Sequence, residues 1–294
     1  MASIGFRFVF VASAVLGGLL AGCASKPETP STARFVAFNI WGDFFGNPPH
    51  ERDLLQAEIL KEHDPDFIGL QEMTPGFWKS RLIGALSDTY GVVGEGMDVE
   101  GMNAADPVFY RKSRFELVEK GATWFCKELD KSKGAVWAVF REKATGKRIA
   151  VFASHFWWQE KGSADKFVRL LNARQLHDTL TEVARRHDAA IVGGGDLNSP
   201  LDSWGLAHLV RSGWADAQRS APETDARATW RDFPVRDAQG VYRGVQPEQA
   251  KRQQWLDHVF YTPERVTPIR FALDRRQKAL DVSDHSPIIF DFTF

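Results

Sequence analysis

Apolar and polar residues alternate with a period of two in some stretches of this chain and recur at helical spacing in others. Arg34 to Trp41 (RFVAFNIW) reads as a strand. His50 to His63 places Leu54, Leu55, Ala57, Ile59 and Leu60 at helical spacing and is closed by Asp64-Pro65. Asp66 to Gln71 (DFIGLQ) reads as a short buried strand, and Pro75 to Leu86 as a helix with proline near its first turn. Further strands are predicted at Tyr90 to Val93, Val108 to Arg111, Phe115 to Gly121, Ala135 to Arg141 and Arg148 to His155. Lys166 to Arg186 is a long helix with Leu170, Ala173, Leu180 and Ala184 on one face. Ala189 to Val192 is a strand that runs into Gly193-Gly194-Gly195, and Ser203 to Val210 is a short helix. Ala217 to Gln254 is polar and turn-rich, with a little strand around Ala228 to Trp230. Leu256 to Tyr261, Val266 to Ala272 and Ile288 to Phe294 finish the chain as strands. Strands interspersed with helices predict an α/β sandwich rather than a barrel or a bundle.

The first residues follow a different pattern. Arg7 precedes an apolar run, Phe8 to Leu20, which is shorter than the roughly 20 residues needed to cross a bilayer and suits a signal peptide. The run ends in Leu20-Ala21-Gly22-Cys23, which resembles a bacterial lipobox, where the cysteine becomes the lipidated first residue. Residues 1–22 are accordingly expected to be a lipoprotein signal peptide, and 23–33 a lipidated Cys23 with a flexible tether rich in Pro, Ser and Thr. Residues 34–294 are expected to form one catalytic domain, exported and held by its lipid at the bacterial cell envelope.

Composition narrows the classes. The 294 residues are 44% hydrophobic and 26% charged, which excludes a disordered or collagen-like chain. Lys+Arg 37 against Asp+Glu 38 leaves a net charge of -1, so no global positive field holds a polyanion nonspecifically. Arg185-Arg186, Lys251-Arg252 and Arg275-Arg276 are short pairs on a solvated surface rather than a nucleic-acid stripe. Two cysteines make no disulfide framework, and Cys126 is left as a lone thiol, expected to be buried rather than reactive.

The candidate chemistry sits where strands end. Asn39 closes the first strand, Glu72 follows Phe67-Ile68-Gly69-Leu70, and His155 follows Val151-Phe152-Ala153. Asp196 and Asn198 follow Ile191-Val192, Asp257 follows Trp255-Leu256, and Asp284-His285 precede Ser286-Pro287-Ile288. One carboxylate after a strand is usually a turn residue or a helix cap. Six stations with the same placement point to one rim, where α/β folds bind ligands. Hard oxygen ligands (Glu72, Asp196, Asn198, Asp284) suit Mg²⁺ or Mn²⁺. Asp257 and His285 can pair so that the carboxylate fixes the ring, and His155 offers a partner for an anionic transition state. A cation, a base and donors around an anion describe hydrolysis of a phosphate ester.

The ordered set Phe-Asn-Ile-Trp, Leu-Gln-Glu, Phe-Tyr-Arg, Ser-His, Gly-Asp-Leu-Asn-Ser, Leu-Asp-His and Ser-Asp-His resembles the endonuclease/exonuclease/phosphatase superfamily, over roughly residues 34 to 294. The resemblance implies a four-layer α/β/β/α sandwich of two packed mixed sheets, and Mg²⁺-dependent phosphoester hydrolysis with one or two ions. It makes Glu72 the principal metal ligand, with Asp284 sharing that role or binding a second ion, and Asn39 and Asn198 positioning metal or phosphate. Asp196 then orients or deprotonates the attacking water, His285 held by Asp257 acts as base or phosphate donor, and Tyr110 and His155 contact the phosphate.

Substrate clues are local. His155-Phe156-Trp157-Trp158 and Asp196-Leu197-Asn198-Ser199-Pro200 look similar to the deadenylase branch. Trp41 shares a strand face with Asn39, and Trp157 with His155. These two tryptophans either flank the site, stacking a ring or holding a quaternary ammonium, or belong to the core. Arg174 either reaches back to the site, as an arginine of this helix does in relatives, or lies on the surface. Gly193-Gly194-Gly195 lacks the Gly-Lys-Ser/Thr of a P-loop and reads as room for close backbone approach. The leading reading is a lipid-anchored, Mg²⁺-dependent phosphodiesterase or phosphatase acting on nucleic acid, a phospholipid head group or a sugar phosphate, with no obligate protein partner. A sphingomyelinase or phospholipase-C-like enzyme of the same fold, a non-catalytic surface binding lipoprotein and a structural lipoprotein are the alternatives.

Overall fold

Alternation along the strands decides the layering. In β1 (Thr32–Asn39), Phe35 and Ala37 point to one side and Val36 and Phe38 to the other, and both sides are buried. A strand covered on both faces lies inside a stack of layers. The computed structural model describes residues 30–44 and 46–294; the signal-peptide and Cys23 expectations fall outside them. β1 starts within the stretch expected to be tether, because Ser31 and Phe294 exchange backbone hydrogen bonds.

Chain order continues with α1 (Asp53–Glu62), β2 (Phe67–Gln71), α2 (Pro75–Trp78), α3 (Arg81–Ser87), β3 (Tyr90–Val93) and β4 (Val108–Arg111). Then come β5 (Phe115–Trp124), β6 (Gly134–Glu142), β7 (Arg148–His155), α4 (Ser163–His187), β8 (Ala190–Asp196) and α5 (Trp204–Arg211). β9 (Ala215–Asp216) precedes the polar stretch, which holds α6 (Ala217–Ser220), β10 (Glu223–Thr224), β11 (Trp230–Arg231), β12 (Val235–Arg236), β13 (Tyr242–Arg243) and β14 (Gln253–Gln254). β15 (Asp257–Tyr261), β16 (Thr267–Leu273), α7 (Gln277–Val282) and β17 (Ile288–Thr293) complete it. The helix expected over 75–86 is two helices, because Ser80 is extended and its hydroxyl accepts from Leu82 N, starting α3 afresh. Helix α7 was not visible as a periodic run; it spans six residues and buries only Ala279, Leu280 and Val282.

One sheet runs β10-β16-β17-β1-β2-β4-β3 and the other β5-β6-β7-β8-β15-β9. Phe35, Ala37, Phe67, Val151, Val192 and Phe290 fill the layer between the sheets. The opposite faces pack against α1, α3 and α7 on one side (Phe38, Leu60, Leu82) and α4 and α5 on the other (Phe152, Leu180, Leu206). This is the four-layer α/β/β/α sandwich. The triglycine packs as expected: a Cβ on Gly194 would stand 1.8 Å from His258 O, and Gly195, at φ +139, would meet Gln71.

The loop after β1 is tied down from inside. Arg52 is 1% exposed, and its guanidinium donates to Ile40 O and Val282 O (both 2.9 Å), Trp41 O (2.8 Å) and Asn47 O (2.9 Å). Burial pushes this guanidinium down to about 10, still charged at neutral pH. Arg52→Ala removes four buried, charge-assisted hydrogen bonds, leaving Gln56 Nε2 as the remaining side-chain donor to Ile40 O and Val282 O, and is expected to lower the unfolding free energy by roughly 3 kcal/mol. Urea denaturation followed by circular dichroism checks this; a loss below about 1 kcal/mol contradicts it.

Candidate active site

The register that builds the core also builds the site. β1 and β2 are parallel, with Asn39 beside Gln71, and β7 and β8 are parallel in the other sheet. Asp257 opens β15 directly opposite Asp196, which closes β8. Side chains two apart share a face. Asn39 therefore continues the inward row of Phe35 and Ala37, His155 that of Val151 and Ala153, and Asp196 that of Val192. At this rim the apolar rows give way to polar groups, and Asn39, His155, Asp196, Asp257, Asp284 and His285 are each 4% exposed or less.

Asn39 sits at the centre. Its Oδ1 accepts from Trp41 N (3.0 Å), which turns its Nδ2 toward Glu72 Oε1 (3.2 Å) and Asp196 Oδ2 (3.1 Å). Asn39 thus holds two carboxylates with its amide NH₂, while Trp41 N engages its oxygen. Glu72 Oε2 accepts from Gly42 N (2.7 Å). One atom each of Glu72, His155 and Asp196 lie within 4.8 Å of one another, as do atoms of Asp196, Asp257 and His285. His285 Nδ1 donates to Asp257 Oδ2 at 2.8 Å, and its Nε2 faces Asp196 (3.7 Å) and Asp284 (3.9 Å). Asn198 N donates to Asp196 Oδ1 (3.0 Å), while its Nδ2 reaches Phe156 O (3.1 Å), joining the loops after β7 and β8.

Backbone strain gathers here. Trp41 (φ 58), Glu72 (φ 62) and Asn198 (φ 47) are left-handed without being glycine, which costs energy that packing must offset and is concentrated at functional sites. The electrostatics are equally uneven. Burial, then Asp257 and Glu72, push the Asp196 carboxyl up to about 7 against the pull of His285. Burial and Glu72 raise Asp284 to about 6. Burial would lower His285, but Asp257, Asp284 and Asp196 outweigh it and raise the ring to about 10. Burial, then the positive charges of Lys133 and His285, push His155 well below its usual range. A neutral His155 thus faces a charged His285.

The donor set fits a hard cation. Asp284 Oδ1 is buried without a hydrogen-bond partner, as are both oxygens of Asp106. Orphaned carboxylate oxygens are costly unless a positive group meets them. Glu72, Asp196 and Asp284 supply oxygen, the donor that Mg²⁺ and Mn²⁺ prefer.

Four expected site residues stand elsewhere. Tyr110 lies opposite Phe67 at the start of β2, whereas Glu72 follows its end, and its ring packs on Phe140 at 4.7 Å. It is a core residue at the other end of the sheet. Trp41 is buried against the Arg52 guanidinium (4.6 Å) and edge-on to Tyr242 (5.4 Å). Trp157 is buried and donates from Nε1 to Asp165 (2.8 Å), pinning its loop to α4. Neither offers a face to a ligand, so the aromatic cage for a quaternary ammonium is not formed by these two. Arg174 is exposed on α4, near His208. Arg169, 3% exposed, is the inward arginine of this part of the helix, and it donates to Gln159 O at 2.6 Å in the loop after β7.

Three neighbours escaped the sequence reading. Lys133 Nζ lies 3.1 Å from His155 Nε2, buried at the start of β6; only the pairing of Gly134 with His155 brings it there. Trp230 Nε1 donates to Asp284 Oδ2 at 2.8 Å. Asp106 is fully buried, and an acid set in Ala104-Ala105-Asp106-Pro107-Val108 was the one available signal.

The model of the endonuclease/exonuclease/phosphatase family matches residues 36–285. The chain belongs to this family. The family is one of phosphoester hydrolases, so the chain is an enzyme of that class. Among solved structures it is similar to an endonuclease/exonuclease/phosphatase family protein from Bacteroides thetaiotaomicron, 22% identical over 91% of this chain and 96% of that one, with a TM-score of 0.73. A mannosyl-6-phosphatase from the same organism is 21% identical over 89% and 100%, with a TM-score of 0.69. The D. rerio TDP2 protein in complex with a single-stranded DNA product is 18% identical over 89% and 99%, with a TM-score of 0.66. At these identities the likeness speaks for the fold. No curated protein matches the chain.

Proposed function

We propose that this chain is a Mg²⁺-dependent phosphodiesterase or phosphatase, exported and held at the cell envelope by lipid on Cys23. The observation that carries the catalytic part is the meeting of Glu72, His155, Asp196, Asp257, Asp284 and His285 at one buried rim. Glu72 and Asp284 would hold the cation, with Asp196 beside them; when bound, it supplies charge neutralisation at the phosphate and acidifies water. Asp196, fixed by Asn39 and Asn198, orients the attacking water and takes its proton. His285, kept protonated by Asp257, donates from Nε2 to a phosphate oxygen, and Lys133, beside the neutral His155, supplies a second positive edge. Among the alternatives, a charged His285 favours the donor role over that of base.

The lipid anchor rests on Leu20-Ala21-Gly22-Cys23. Among the described residues no helix is long and apolar enough to cross a membrane. Ser31 enters at the end of β1 remote from Asn39, roughly 25 Å along the strand, which favours a water-soluble ester over a bilayer head group.

A panel of bis-p-nitrophenyl phosphate, sugar phosphates, linear DNA, RNA and sphingomyelin, assayed with purified protein, tests the reading. Mg²⁺ is expected to support turnover of at least one ester and EDTA to abolish it. Turnover of none, or turnover indifferent to EDTA, overturns it. Membrane-extracted wild type is expected to carry acyl groups by mass spectrometry and Cys23→Ala to carry none.

A further inference from the structure

Three residues of the catalytic cluster are each followed or preceded in the chain by a residue that lines a second cavity. Met73 and Thr74 follow Glu72, Ala105 precedes Asp106, and Ser132 precedes Lys133. Adjacent Cα atoms are about 3.8 Å apart, so cavity and catalytic cluster share a wall. The cavity measures about 530 Å³, well within the range of small-molecule sites. Its walls come from the segments 73–79 and 98–105 and from the loop between β5 and β6.

The lining sets aromatic and apolar side chains beside the charged Lys79, Asp98, Glu100 and Lys131. Trp124 lies across Gly134, where a Cβ would stand 2.3 Å from its ring, so the glycine leaves room for the indole to lie flat against the strand. Trp78 is fixed by its Nε1, which donates to Ala104 O at 2.9 Å. Among the described residues neither indole stacks on another aromatic ring. Met102, 53% exposed, forms the outer lip. The Lys131–Glu100 ion pair bridges the two loops at the rim.

We propose that this cavity binds a planar ring carried by the phosphate ester and so sets substrate preference; the inference rests on the phosphoester reading of the adjoining site. Fixed indole faces and an adaptable methionine suit a flat π-system better than a puckered sugar or a branched alkyl group. The ring can belong to a nucleobase or to a simple aryl group, since both present the same faces.

Phosphonates that no phosphoesterase can cleave separate binding from turnover. With full-length protein in Mg²⁺, benzylphosphonate, an adenosine phosphonate and cyclohexylmethylphosphonate are titrated by calorimetry. At least one planar ligand is expected to bind roughly tenfold or more tightly than the cyclohexyl one, the size of a stacking contribution. Tighter binding of benzylphosphonate supports a simple aryl group, and of the adenosine compound alone a nucleobase. Trp124→Ala is expected to erase the preference, and Met102→Ala, on an exposed lip, to weaken it about threefold with an unchanged circular dichroism spectrum. Equal binding of planar and cyclohexyl ligands, or a preference untouched in both variants, overturns the proposal. Planar preference without turnover of any ester would instead sink the catalytic reading and leave the cavity assignment standing.

Discussion

Glu72→Gln is expected to reduce phosphoester hydrolysis by about a thousandfold while raising, not lowering, the thermal midpoint of the metal-free protein. The shape of the side chain survives the change. One oxygen remains to accept from Gly42 N or Asn39 Nδ2, the two bonds that hold Glu72 at the mouth of the loop. What is lost is a negative charge that faces Asp284 and Asp196, two carboxylates already pushed up by burial and by Glu72 itself. Without a cation that charge repels its neighbours, so its removal relieves the metal-free fold by an amount visible as a few degrees. With a cation it is the attraction that holds the ion, so its removal lowers affinity and turnover together. Steady-state rates across a Mg²⁺ titration, beside melting curves in EDTA, measure both halves. Full activity in the variant contradicts the role of Glu72. A lower melting point in EDTA contradicts the account of the repelling cluster.

The cluster was legible because of a regularity of strands rather than a motif at any one position. A strand in the middle of a four-layer sandwich is apolar on both faces, so the polar pair after Phe67-Ile68-Gly69-Leu70 (Gln71-Glu72) or after Val151-Phe152-Ala153 (Ser154-His155) marks where it leaves the core. That logic locates Glu72, His155, Asp196 and Asp257 without knowledge of the pairing. It fails where a residue's place depends on register or on a neighbour. Tyr110 is placed at the phosphate by the resemblance alone, yet β4 runs antiparallel to β2 and carries it to the opposite end of the sheet. Lys133 looked like any loop lysine, and only the hairpin of β6 with β7 sets it on His155. Trp41 and Trp157 lie on segments beside catalytic residues, but a left-handed turn at Trp41 folds its ring onto Arg52. Of the arginines in the first half of helix α4, Arg169 and Arg174, which one faces inward follows from the helix phase, which Leu176 and Leu180 set by packing. The two-helix break at Ser80 was available from the sequence, since serine is a preferred helix cap.

Asp257→Asn and His285→Ala are each expected to cost roughly a thousandfold to ten-thousandfold in kcat/KM, and the double variant no more than the worse single one. The two side chains act through one bond, His285 Nδ1 to Asp257 Oδ2 at 2.8 Å, buried on both sides. Asp257 does two things to the ring. It fixes the orientation that aims Nε2 at Asp196 and Asp284, and its charge is the first of the three that hold the proton on a ring that burial would otherwise strip. Asparagine keeps the size and removes the charge, so the ring turns neutral and loses its donor at the phosphate. Once His285 is gone, Asp257 has nothing to hold, and its further loss changes little. If Asp257 served instead to anchor β15 opposite Asp196, its backbone pairing would carry that duty and the asparagine variant would be nearly silent. Independent roles would make the losses multiply. A double-variant rate lower than either single by a further factor of a hundred or more rules out a shared unit, whereas a flat cycle, with circular dichroism unchanged, places both residues on one proton.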